Sequence, residues 1–159
     1  MAIDKVKQYL SKFGVDGNVL EFNQSSATVE LAAQALGVEP ARIAKTLSFK
    51  VPDEDKCILI VAAGDVKVDN GKFKGFFGYK AKMLSAEEVE VFTGHQIGGV
   101  CPFANPDGTQ VFLDESLKRF ETVFPACGSS NSAIELSLDK LFEYSMAKQW
   151  IDVCKIKEQ

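Results

Sequence analysis

The chain has 159 residues, 46% of them hydrophobic and 25% charged, with a net charge of −4. This is the balance of a globular protein able to bury a core, expected here as one domain over 1–159; it excludes a disordered or fibrous chain and disfavours a protein that grips DNA along its backbone. No apolar run approaches the ~20 residues of a membrane span, and the amphipathic start MAIDKVKQYL lacks a signal core, so a cytoplasmic protein with no membrane partner is expected.

Ile3, Val6, Tyr9, Leu10 and Phe13 share a helical face and Gly14 follows as a stop, which predicts a helix over 2–13. NVLEF (18–22) reads as a short strand. Ser25 and Ser26 offer caps for a second helix with Val29, Ala32, Ala33 and Leu36 on its apolar face and Gly37 at its end. EPARIAK (39–45) reads as one or two further helical turns. The period then changes to two: Leu47, Phe49 and Val51 alternate with polar residues in TLSFKV (46–51), a half-buried strand. CILIVAA (57–63) predicts a neighbouring strand buried on both faces.

KFKGFFGYK fits neither period, and YKAKM (79–83) alternates as a short strand. Ser85 with Glu88 makes a capping box for a helix to about Phe92, ended by Gly94. Strands are expected at 110–114, 121–126 and 132–138, then a helix capped by Asp139 and running to about Met146. Six to eight strands with scattered helices imply an α+β fold around a strongly curved mixed sheet. The alternation argues against a doubly wound parallel sheet.

Chemistry is harder to find. The chain has no GxSxG, phosphate-loop, HExxH or GxGxxG motif. Its four cysteines form no CxxC, and it has one histidine, so no metal site or cofactor is implied. GHQIGGVCPF (94–103) concentrates that histidine, three glycines, a cysteine and a proline in ten positions. A dyad of Cys101 and His95 is conceivable, but a surface histidine and a packed thiol are the simpler reading. Glycines there either make a tight turn or let backbone amides approach a ligand. Lys45, where ARIAK hands over to the strand, either complements a helix dipole or serves a site.

Three segments in this order, IAKTLSF (43–49), GHQIGGVCPF (94–103) and ACGSSNSAIEL (126–136), resemble the YbaK/ProX family of aminoacyl-tRNA deacylases, related to the editing domain of bacterial prolyl-tRNA synthetases. The resemblance runs roughly from Val19 to Phe142. It implies a partly closed barrel flanked by helices and hydrolysis of mischarged tRNA in trans, cysteine or alanine on the tRNA for proline being the expected cargo. Lys45 falls on the family's essential lysine, with Thr46 beside it. Gly98, Gly99, Val100, Cys101 and Pro102 fall on its GxxxP loop, whose amides bind the aminoacyl carbonyl region. Gly128 and Ser129 fall on a second pocket-lining segment. The implied partners are the CCA end of tRNA and a synthetase, prolyl-tRNA synthetase first. The rival expectation is a non-catalytic module holding a small amino acid, a nucleotide or a synthetase in the same pocket, which the acidic charge favours.

Overall fold

A computed structural model describes residues 2–96 and 99–157. Six strands form one curled, half-barrel sheet. Its middle is the hairpin of β2 (Ile43–Lys50) and β3 (Cys57–Ala63), antiparallel with Lys45 opposite Ala62 and Thr46 opposite Val61. On one side β5 (Gln110–Asp114) runs parallel to β3, and β9 (Gln149–Ile151) parallel to β5. On the other, β6 (Thr122–Pro125) runs parallel to β2, with β8 (Leu136–Ser137) antiparallel outside it. The α+β class and the curved mixed sheet are therefore as expected. Every residue of β3 is buried, because the strand has neighbours on both edges and cover on both faces.

Two small antiparallel pairs complete the sheet structure: β1 (Leu20–Glu21) with β7 (Ser132–Ala133), and β4 (Val66–Val68) with β10 (Cys154–Ile156). That makes ten strands among the described residues, above the expected six to eight. The extra ones are two or three residues long, too short for an alternation to register. The expected strand over 132–138 is divided. Ser132–Ala133 pairs with β1, Leu136–Ser137 pairs with β6, and Leu138 already begins α5 (Leu138–Tyr144). Ser137, not Asp139, caps that helix by accepting the Lys140 amide.

Helix α1 (Ala2–Ser11) buries Ile3, Val6 and Leu10 as its periodicity requires. Helix α2 (Val29–Leu36) is capped by Thr28 rather than by Ser25 or Ser26, which bond the Ser130 carbonyl instead. The ambiguous segment becomes α3 (Asn70–Phe77), capped by Asp69, with Phe73 and Phe77 packed into an aromatic cluster with Phe49 and Tyr79. YKAKM forms no strand; it contributes only an isolated bridge of Met83 to Phe49 along the end of β2. Helix α4 (Ala86–Thr93) has the expected capping box, with both reciprocal bonds made. No helix among the described residues is long and apolar enough to cross a membrane.

Candidate functional site

Only Pro40–Arg42 forms a helical turn before β2, so Lys45 is the third residue of a strand and not a helix C-terminus. That removes the dipole explanation for it. Its ammonium donates to the carbonyl of Val66 in β4. Burial first, and the like charge of Lys157 second, lower its pKa from 10.5 to about 8. At neutral pH it remains mostly charged.

Lys45 and Thr46 line a cavity of about 390 Å³ between β2, β6, α2 and the loop at Val100, with Ser48, Phe124 and Ser132 also lining it. The Thr46 hydroxyl is buried without a hydrogen-bond partner among the described residues. Buried hydroxyls are normally satisfied, so this hydroxyl in a cavity-lining residue is a candidate ligand contact. Ser48 and Ser132 were not singled out in the sequence. The period of two does place Ser48 on the face of Thr46, but the division of 132–138 between two strands hid Ser132.

The glycine loop is held differently from a bare cradle. The Gly99 amide donates to the Gln96 carbonyl at 2.9 Å, and a Cβ on Gly99 would come within 3.0 Å of the Gly128–Ser129 backbone. Gly128, at φ +91, is itself pressed on α1, where a Cβ would lie 2.8 Å from Val6 and 2.9 Å from the Ala2 carbonyl. The two glycine segments thus meet backbone to backbone, stacked on α1. Val100 reaches the cavity wall, whereas Gly99, Cys101, Pro102, Gly128 and Ser129 do not line it. Ser129 approaches indirectly, its hydroxyl 2.7 Å from that of Ser132. Pro102 faces a second, more open hollow of about 800 Å³ with Lys5, Tyr9 and Asn105. Gly98 lies outside the described residues.

His95 is not at the surface. It is fully buried, its Nε2–H donating to the Phe103 carbonyl at 3.0 Å and lying 3.6 Å from the Cys101 sulfur. Residues 95 and 103, the two ends of the loop, are joined by that bond. The pair is no nucleophilic dyad, for burial pushes the Cys101 thiol up to about 12. Burial likewise raises Cys57 to about 11 and Cys154 to about 12, and holds Cys127 well above 9.0. No thiolate is available near neutral pH. Among the described residues, no three His, Cys, Asp or Glu side chains gather so as to hold a metal ion.

A family model of the aminoacyl-tRNA editing domain matches residues 23–144. The chain belongs to that family. This editing domain is 56% identical over 155 residues to YwhH of Bacillus subtilis strain 168, an uncharacterised protein, with 98% of each chain covered. It is 26% identical to EbsC of Enterococcus faecalis strain V583, named as a candidate Cys-tRNA(Pro)/Cys-tRNA(Cys) deacylase, over 73% of this chain and 71% of that one. It is also 32% identical over 94 residues to a proline–tRNA ligase of Caldicellulosiruptor bescii, 57% of this chain against 15% of the ligase. Among solved structures, a candidate trans-editing enzyme for prolyl-tRNA synthetase superposes with a TM-score of 0.86 at 28% identity, 97% of both chains covered. The resemblance to the YbaK/ProX type stands.

Proposed function

We propose that this editing domain hydrolyses the ester of mischarged aminoacyl-tRNA in trans, with cysteinyl- or alanyl-tRNA for proline as its substrate. The reading rests on one observation above the others: in a chain of the editing-domain family, Lys45, Thr46 with its orphan hydroxyl, and Val100 line one cavity. An aminoacyl ester is already reactive, so water, a ribose hydroxyl or the substrate's own thiol can attack its carbonyl. The protein then has to orient the ester and offer donors to the carbonyl oxygen as charge gathers there. Lys45 is assigned the catalytic role, bringing positive charge to the terminal nucleotide. Thr46 and Val100 hold the aminoacyl group, with Gly99, Gly128 and Ser129 packed together to support the Val100 loop from behind.

A hollow of about 390 Å³ admits a small side chain, which suits selection by size of a product that a synthetase cannot reject on its own. Only the CCA end enters, and the body of the tRNA stays outside an acidic protein. Prolyl-tRNA synthetase in the cytoplasm is the partner that would supply tRNA specificity, in keeping with the similarity to proline–tRNA ligases. The test is to incubate the purified protein with cysteinyl-, alanyl- and prolyl-tRNA for proline. Release of cysteine or alanine but not proline is expected. Esters that survive at the buffer-only rate would overturn the reading.

A further inference from the structure

The C-terminal strand lies beyond the part of the chain that the family model matches, residues 23–144, yet it ends at the candidate catalytic lysine. Strand β10 pairs with β4 so that Ile156 faces Val66, and the Lys157 amide donates to the Asp65 carbonyl at 3.0 Å. Val66 is the residue whose carbonyl takes the Lys45 ammonium. The register therefore sets the exposed Lys157 beside Lys45, close enough for the two charges to act on each other.

Two cations side by side repel, and a folded protein keeps such an arrangement at a cost unless an anion relieves it. The carboxylate nearest at hand, Asp65, is occupied by a two-pronged contact with Arg119 at 2.9 and 2.6 Å. Cys154, the other titratable neighbour, is a neutral thiol. Lys45 lines the cavity, whereas Asp65, Val66 and Lys157 do not. The ammonium, bonded to Val66, thus reaches beyond the residues that line the cavity.

We infer that Lys45 and Lys157 form a two-cation site for the phosphodiester attached to the terminal adenosine of the tRNA. The inference rests on the deacylase reading for its ligand, because that phosphate is one ribose away from the ester. A phosphate oxygen between the lysines would relieve their repulsion and fix the ribose with respect to the cavity. Neither neighbour of the pair competes, since Asp65 stays bound to Arg119.

The test compares wild-type protein with Lys157→Gln and Lys157→Arg, all full length. Both variants retain the backbone bond to Asp65, and circular dichroism checks their fold. Carbon-13 NMR of labelled lysines, with the Lys45 signal assigned by its absence in Lys45→Met, follows its titration. In wild type and Lys157→Arg it is expected near 8, and in Lys157→Gln displaced toward 10.5. Adenosine monophosphate should bind Lys157→Gln about fivefold more weakly than wild type, the scale of one partly exposed ion pair, with Lys157→Arg restoring affinity. Adenosine should bind all three alike. Unchanged titration and unchanged adenosine monophosphate affinity in Lys157→Gln would overturn the site, and inorganic phosphate binding as tightly as adenosine monophosphate would overturn its assignment to a nucleotide. Wild-type protein that binds adenosine monophosphate through both lysines but releases no amino acid from tRNA would sink the deacylase reading alone.

Discussion

Replacing Lys45 by alanine should lower deacylation by about 10²-fold or more, the scale of losing one preorganised charge in a site. The fold should survive, since the strand ladder to Ala62 is made by backbone, and circular dichroism with single-turnover rates checks both points. Cys101 gives the opposite expectation. With its thiol pushed up to about 12, Cys101→Ala should keep most of the activity; abolished turnover with substrate binding preserved would make the protein a cysteine hydrolase after all. His95 predicts a pH effect on stability. Its Nδ1 is buried without a partner among the described residues and burial lowers its pKa from 6.5, so the unfolded chain takes up the proton first as pH falls. Stability is complete above about 6.5 and declines through the window below it, down to the lowered native value. Urea midpoints between pH 7 and 5 should show this decline in wild type and a flatter profile in His95→Gln. A histidine fully buried beside a glycine loop was not legible in the sequence, because a loop's glycines and proline describe its own backbone and not what packs over it.

At the scale of elements, the contact between the loop and the segment at 128–129 changes what a glycine substitution reports. A purely catalytic glycine would lose activity with little loss of stability. Gly99 has no such freedom, since a Cβ there would meet the Gly128–Ser129 backbone at 3.0 Å. Gly99→Ala should cost about 1–3 kcal/mol of stability, as overpacking does, and the shifted loop should also take Val100 off the cavity wall. Thermal melts and rates per folded molecule on one preparation check both halves; full activity in the folded fraction would separate the loop from the site. Elements with a long period were legible in advance: α1, the capping box of α4, and β3 as an all-apolar strand. Elements of two or three residues were not. β4, β9 and β10 have no period to read, and they form because partners distant in the chain offer them hydrogen bonds.

For the molecule as a whole, a net charge of −4 and a site that takes only the CCA end predict few phosphate contacts. The logarithm of tRNA affinity should fall with the logarithm of salt concentration with a slope no steeper than about −2, corresponding to two or three phosphates. A slope near −5 would mean that an extended tRNA surface is gripped elsewhere. By itself the sequence determined the fold class, the central hairpin and the family, because these depend on hydrophobic period and on motif order, both local or simply ordered along the chain. It also marked Lys45 and Thr46 through their place in IAKTLSF. The tertiary structure decided which residues meet at the cavity, that Gly99 packs on Gly128, that His95 is buried, and that Lys157 comes to lie beside Lys45. Those are contacts between segments far apart in the chain. Burial and strand register create them, and neither is written in any one segment.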